Sequence, residues 1–377
     1  MNWKGQLAVN TYDHNENGIE PQRSISRRAL LGGLAAGGAA VALGAVSGPA
    51  SAATRIARSD LTSKKALTKL SYQLGWIPNA EFAGTWIALN KGYYTKAGLN
   101  VNVIPGGPTT APIAVIESGT ALVTIADPIV TATAVKQGAD LRIIGTQYQR
   151  SPYCLTSLAS KPIRTPKDMI GRKIGLAASD EPVWAAFLKL NKIKPSQVPT
   201  VPIQFDPSVL VAGECEGIVA FSYEQSSELA QKGVKSYSFL WDDFGFKIMW
   251  NTYIVTAASL KNAAKRAALV EFLYGEALGW TEQVRHPQEG ATLAVKKYGA
   301  SLKLNLQEQT REAVGAKALI VTQATKEDGL FAMPAPAVNN AVSLLKVLGL
   351  SMPKSTFDTS LLSDMHKQHP ALAKLTL

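Results

Sequence analysis

Short apolar runs alternate with amphipathic stretches from residue 70 to residue 256, and several of those stretches open on a helix-start signal. This rhythm builds βα units, in which strands form a largely parallel sheet and helices cover it. The runs predict strands at 69–74, 101–104, 121–125, 141–146, 173–176, 201–204, 217–221 and 252–256, with helices between them. After residue 256 the pattern turns helical, with long stretches at 257–283, 287–298, 306–318 and 335–348.

Four helix starts share one chemistry: Asp127-Pro128, Thr165-Pro166, Asp180 ahead of Glu181-Pro182, and Asp206-Pro207. Proline suits the first turn, where its missing N–H would have had no partner, and the oxygen side chain before it can cap. Asp168, three residues after Thr165, completes a capping box in its Asp form. Ordinary capping explains all four. Asp127 and Asp180 also follow strand ends directly, and ligands of open α/β sheets bind just beyond those ends.

Ahead of this region, residues 1–25 are polar, and Ser26-Arg27-Arg28-Ala29-Leu30-Leu31 opens a Gly- and Ala-rich apolar run over 30–46. Paired arginines before a weakly apolar run read as a twin-arginine export signal, with the twin-arginine translocase as partner during export. Ala50 and Ala52 fit small-x-small cleavage after Ala52, so a soluble periplasmic protein is expected; an uncleaved anchor is the alternative. No Cys follows the run, so a lipobox lacks its attachment atom. The remaining 325 residues suggest two compact units at roughly 150 residues each.

The chain is 46% hydrophobic and carries a net charge of +11, of which the leader holds one. Lys and Arg are scattered singly or in pairs such as Lys64-Lys65 and Lys296-Lys297, which argues against nucleic acid as a partner. Cys154 and Cys215 read as buried free thiols, with one disulfide as the alternative. No phosphate-binding or dinucleotide glycine loop occurs in the mature part, nor a Gly-x-Ser-x-Gly elbow or a His-Glu-x-x-His zinc motif. His366 and His369 have i, i+3 spacing, but Pro370 follows and no acidic cluster joins them, so they read as a solvated helix end. No cofactor, metal or catalytic residue is expected.

Aromatic residues cluster beside strand ends instead: Trp76 in Gly75-Trp76-Ile77-Pro78-Asn79, Tyr148 after Gln147, Trp184 after Pro182, and Tyr223 in Phe221-Ser222-Tyr223-Glu224. Rings with a few amides and carboxylates suit a flat molecule with polar edges, although several such rings could equally be core. Trp86 and Trp280, inside helical patterns, read as core.

The order of motifs resembles the substrate-binding proteins of ABC importers in the group that handles thiamine pyrimidine precursors, riboflavin, alkanesulfonates and nitrate. The resemblance rests on LGWIPNAEFAG (74–84), ALNKGYYTKAGLNVNVIPGG (88–107), SGTALVTIADP (118–128), VKQGADLRIIGTQYQRSP (135–152), IRTPKDMIGRKIGL (163–176) and LVAGECEGIVAFSYEQSSELAQKGV (210–234). It implies an α/β, two-lobed type 2 periplasmic binding fold with a discontinuous first lobe and an interlobe cleft that closes on its ligand. Mapped here, lobe one is 68–160 plus 255–377 and lobe two is 161–254. An ABC permease in the membrane and a small-molecule ligand are the implied partners.

On this resemblance Trp76, Phe82 and Tyr148 enclose the ligand from lobe one, Asn79, Asp127 and Gln147 supply polar contacts, and Trp184, Tyr223 and Glu224 approach from lobe two. Glu224 is the expected acceptor for ring N–H or hydroxyl donors. The Trp76-to-Asn79 loop and Gly106-Gly107-Pro108 look closest to the riboflavin and hydroxymethylpyrimidine binders, and Arg150 is the residue that could instead serve an anion. A pyrimidine synthase of the same group consumes its own histidine. Here Pro78-Asn79-Ala80-Glu81-Phe82 stands in that loop without one, which argues against an enzyme. An exported enzyme acting on a heterocycle, with Glu224 or Asp127 as base, is the second reading.

Overall fold

A computed structural model describes residues 66–376 apart from Pro108, Gln204 and Phe205. The export signal read at residues 1–52, its cleavage site, and the end of the strand expected at 201–204 lie outside the described residues.

Ten strands form two five-stranded sheets within one compact unit, Ser63–Leu377. The first sheet holds β1 (Thr68–Gln73), β2 (Leu99–Ile104), β3 (Val123–Ala126), β4 (Leu141–Tyr148) and β10 (Trp250–Thr256), in the order β2-β1-β3-β10-β4. The second holds β5 (Tyr153–Leu158), β6 (Ile174–Leu176), β7 (Thr200–Pro202), β8 (Gly217–Phe221) and β9 (Ser236–Leu240), in the order β7-β6-β8-β5-β9. Each sheet is largely parallel with a single antiparallel member, β10 in the first and β5 in the second. The two-lobed α/β architecture is therefore present, and the chain passes between sheets at 149–152 and 241–249. The boundaries expected at 160 and 254 lie a few residues beyond these passages, because β5 already pairs with β8 and β10 already pairs with β4.

Helices cover the sheets: α1 (Ala83–Asn90), α2 (Tyr93–Lys96), α3 (Pro112–Glu117), α4 (Pro128–Lys136), α5 (Glu181–Leu190), α6 (Ser208–Val211) and α7 (Gln225–Gln231). The helical remainder supplies α8 (Ala257–Lys261), α9 (Ala263–Arg285), α10 (Pro287–Leu293), α11 (Leu306–Ile320), α12 (Gln323–Asp328), α13 (Ala335–Val347) and α14 (Ser360–Gln368). The stretch expected as one helix over 257–283 is divided at Asn262, whose side chain accepts from the Lys265 N–H and starts α9 afresh. Asp127 caps α4 by accepting from the N–H groups of Ile129 and Val130 at 2.8 and 2.9 Å. The Thr165/Asp168 capping box forms, but it opens only the 3-10 turn Pro166–Met169.

The first sheet's core gathers Tyr72, Tyr253 and Phe272, and the second lobe's core stacks Phe187 on Trp241 with ring centres 4.2 Å apart. Trp86 and Trp280 are both core, 2% and 1% exposed. Cys154 and Cys215 are buried and free, and burial pushes the Cys154 thiol up to about 12. His366 and His369 do not form a solvated helix end: both are half-buried, and the His369 ring stacks on Tyr274.

Candidate functional site

The loop after β1 turns inward at Trp76, whose backbone carbonyl accepts from the Gly106 N–H at 3.1 Å. A Cβ on Gly106 would come within 2.7 Å of the Trp76 backbone nitrogen and oxygen, so the two loops approach only because this residue is glycine. Asn79 then starts the 3-10 turn Ala80–Phe82, its Oδ1 accepting from the Glu81 N–H at 3.1 Å. Its Nδ2 donates across to Glu312 Oε1 on α11 at 3.2 Å. Gln309 braces the same contact, accepting from the Ala80 N–H and donating to Glu312 Oε2 at 2.8 Å.

Glu81 Oε1 accepts from Asn251 Nδ2 at 2.8 Å. Asn251 sits early in β10 with φ of 51°, a left-handed conformation that asparagine tolerates better than most residues. Its Nδ2 also donates to Gln147 Oε1, Gln147 Nε2 donates to the Tyr253 hydroxyl, and that hydroxyl donates to Glu276. A chain of buried amides and hydroxyls thus ties Glu81 to the core of the first sheet.

The second sheet contributes the turn after β8. There Tyr223 meets Tyr148 edge-on at 5.8 Å, and its Cβ lies over Gly315 of α11. Glu224 follows, accepting from Gln225 Nε2 at 3.3 Å. Glu81 and Glu312 are buried and Glu224 is half-buried, and they come from three elements close enough to act on one another electrostatically and on Tyr148 and Tyr223. Among the described residues no lysine, arginine or histidine forms an ion pair with any of the three.

Desolvation without a paired cation raises all three carboxyls. Desolvation, reinforced by Glu224, pushes the Glu81 carboxyl up to about 8, against the Asn251 hydrogen bond. Desolvation raises Glu224 to about 7, with Glu308 and Asp180 adding to it. Glu312 is held well above the carboxylate range by burial and then by Glu224 and Glu81. The Tyr223 hydroxyl is buried with no hydrogen-bond partner, and burial and Glu81 keep it from ionising.

Of the nine residues singled out from sequence, Asn79, Gln147, Tyr148, Tyr223 and Glu224 converge on this region. Phe82 is 1% exposed and packs edge-on to Trp86, and Trp76 is half-buried in its loop. Trp184 packs against Phe187 and Trp241 inside the second lobe. Asp127 caps α4 and faces Tyr153, whose hydroxyl donates to Asp180 at 3.0 Å. Rings nonetheless run continuously between the two groups, from Tyr148 through Tyr223 and Phe221 to Tyr153 and Trp241. Arg150, the alternative anion ligand, is already paired: Nε with Asp242 at 2.8 Å and Nη2 with Asp243 at 2.5 Å, joining the two passages between sheets.

Sequence reasoning missed Glu81, Asn251 and Glu312 as partners of the site. An acidic residue inside the apolar Ala80-Glu81-Phe82 turn was a usable signal for the first. Glu312 lies in an amphipathic helix where a carboxylate is unremarkable by pattern alone. Among the described residues no His, Cys, Asp and Glu group could hold a metal ion, and no helix is long and apolar enough to cross a membrane.

The riboflavin-binding protein RibY of Chloroflexus aurantiacus is 25% identical over 242 residues, covering 61% of this chain and 66% of RibY, just under two thirds of that relative. The periplasmic sulfonate-binding protein SsuA of Methylobacillus flagellatus KT is similar in structure, with a TM-score of 0.56 at 13% identity over 81% of this chain and 96% of that one. The desulfurization enzyme DSZB is similar with a TM-score of 0.53 at 13% identity, over 80% and 99%. The two structures establish a shared two-lobed fold, which carries binding in one and catalysis in the other. A model of the family described as NMT1/THI5 like matches residues 79–290, more than half of the chain, and the protein belongs to that family.

Proposed function

We propose that this protein is the extracytoplasmic solute-binding component of an ABC importer, and that it captures a small aromatic heterocycle, riboflavin or a thiamine pyrimidine precursor, without turning it over. The observation that carries this reading is the convergence of Glu81, Glu224 and Glu312 with Tyr148 and Tyr223, from both sheets, on one region. Carboxylates accept N–H and O–H donors, and ring edges and faces pack against a flat molecule. Asn79 and Gln147 hold the acidic groups in place, and Trp76, half-buried in its loop, contributes to the wall, while Phe82 and Trp184 pack in the cores behind it and Asp127 caps α4. Capture follows lobe closure, and the closed form docks on an ABC permease. Export by the twin-arginine translocase, with cleavage after Ala52, delivers the chain to the periplasm.

The alkanesulfonate or nitrate reading is disfavoured by the same geometry. An anion entering among three carboxylates would meet no compensating cation, and Arg150 is committed to Asp242 and Asp243. A thermal-shift and calorimetric screen of residues 53–377 tests this. Riboflavin or hydroxymethylpyrimidine at about 100 times its dissociation constant stabilises the protein by ~2.7 kcal/mol, and Glu224→Gln reduces the shift. Recovery of the ligand unchanged fits a receptor. Stabilisation by ethanesulfonate or nitrate alone, or chemical conversion of a bound heterocycle, would sink it.

A further inference from the structure

Lobe two is held between two helices of the C-terminal part, one on each face of its sheet. Phe239 of β9 lies opposite Leu155 of β5, which lies opposite Val219 of β8, and Phe187 of α5 packs on Phe239 with ring centres 6.4 Å apart. One residue along, Cys154 lies opposite Ala220, and this pair clusters with Leu229 of α7. Alternate residues of a strand face opposite sides, so α5 and α7 cover opposite faces of the second sheet. Helix α11 packs against α7, and α13 packs against α5.

Both of these helices are fixed to lobe one. The Leu319 carbonyl of α11 accepts from the Gln149 N–H at 2.8 Å, and α11 also packs on β4. Helix α13 is tied to β4 on either side: before it the Phe331 carbonyl accepts from the Thr146 N–H at 3.2 Å, and after it the Asp358 N–H donates to the Ile143 carbonyl at 2.8 Å. Its apolar stripe of Val338, Ala341 and Leu345 is buried.

The two contacts with lobe two are packed differently. At α11, Tyr223 is 1% exposed, a Cβ on Gly315 would sit 3.4 Å from the Tyr223 Cβ, and Arg311 donates to the Ser227 carbonyl of α7 at 3.5 Å. At α13, the small and polar stripe of Ala337, Asn340 and Ser343 borders open space instead. One cavity of about 320 Å³ separates Ala337 and Asn340 from Arg150 and Met249, and a second of about 150 Å³ separates Ser343 from Leu190 and Gly245. Asn340 and Lys247 line both, so the two adjoin along α13 beside the passage at 241–249. Close-packed contacts leave few voids larger than a water molecule, so lobe two leans on α11 and stands off α13.

A rigid lobe between two fixed helices cannot approach one without leaving the other. We propose that α13 is the counter-contact of lobe closure: its stripe of Ala337, Asn340 and Ser343 receives lobe two when the cleft opens, and the width of this gap sets the balance of open and closed forms. Affinity follows from that balance, because apparent binding weakens as the competent form becomes scarcer. This rests on the lobe closure of the proposed function and adds residues that govern it from outside the ligand region.

Asn340→Trp and Ser343→Trp in residues 53–377 each place an indole in the gap, and Asn339→Trp, on an exposed side of α13 that borders neither cavity, is the control. Nitroxide labels on cysteines placed at Asn102 of β2 and Thr200 of β7 read the lobes; both positions are exposed, and the two native cysteines are buried. Without ligand, both gap variants should shift the distance distribution toward that of the conformation described here, while the control matches the unsubstituted protein. Titration with riboflavin should then show binding tightened about threefold to tenfold in the gap variants, carried by slower dissociation. Urea unfolding of each variant separates a shift in the lobes from a loss of fold.

Unchanged distances in both gap variants, a shift toward the open form, or an equal shift in Asn339→Trp overturns the proposal. So does tightened binding without a change in distance. Riboflavin inert toward every form, with the distances shifted as expected, sinks the riboflavin reading and leaves the counter-contact standing.

Discussion

The chemistry of this protein is concentrated in a few buried and half-buried acidic residues, and their titration makes a direct prediction. A carboxyl whose pKa rises on folding stabilises the fold fully below its unfolded value of 4.5, and that contribution is lost as pH climbs through the folded value. With Glu81 at about 8 and Glu224 at about 7, the ligand-free protein should be most stable near pH 5 and lose melting temperature steadily toward pH 8. Glu81→Gln should flatten that slope, and differential scanning calorimetry across the range reads it. A melting temperature that rises toward pH 8 would contradict the burial described here. Glu276 is a different case: it is fully buried and accepts from Thr85, Tyr94, Tyr253 and Trp280. Glu276→Ala would strand four donors, and urea unfolding should show a loss of ~3–5 kcal/mol, with Glu276→Gln losing less. Glu224 was legible in sequence because it follows an aromatic residue at a strand end. Glu276 was not, since one carboxylate in a long helix has no pattern of its own.

At the level of elements, most strands and helices follow from local signals. Asp127-Pro128 and Asp206-Pro207 sit where α4 and α6 begin, and β8 spans the residues its apolar run marked. The strands β5 and β9 were not anticipated. Their sequences, Tyr-Cys-Leu-Thr-Ser-Leu and Ser-Tyr-Ser-Phe-Leu, mix small polar residues into the apolar run, and only pairing with each other and with β8 makes them strands. Helix packing also depends on contacts that sequence does not display. The α1 and α9 axes approach where Gly279 faces Gly84, and a Cβ at Gly279 would collide with the Gly84 carbonyl oxygen. Gly279→Ala should therefore destabilise the fold by ~2–3 kcal/mol in chemical denaturation, despite alanine's better helix propensity.

For the whole molecule, the two passages between sheets are tied by Arg150 to Asp242 and Asp243. All three side chains are partly exposed, so the tie contributes ~1 kcal/mol or less to stability. Its larger effect should be on the relative movement of the lobes. Arg150→Ala should leave urea unfolding nearly unchanged and broaden the distance distribution between spin labels placed on β7 and β2. An unbroadened distribution would show that the aromatic packing between Tyr148, Tyr223 and Tyr153 restrains the passages by itself.

The sequence alone determined the βα rhythm, the helical C-terminal part, the capping residues and the aromatic residues at strand ends, because each is a property of near neighbours along the chain. The tertiary structure decided which carboxylates meet, that Arg150 is already paired, and that the Tyr223 hydroxyl is left without a partner. Glu81, Glu224 and Glu312 belong to elements far apart in sequence, and their protonation is set by burial and by one another. Burial and mutual repulsion exist only once the chain has brought those elements together and excluded water.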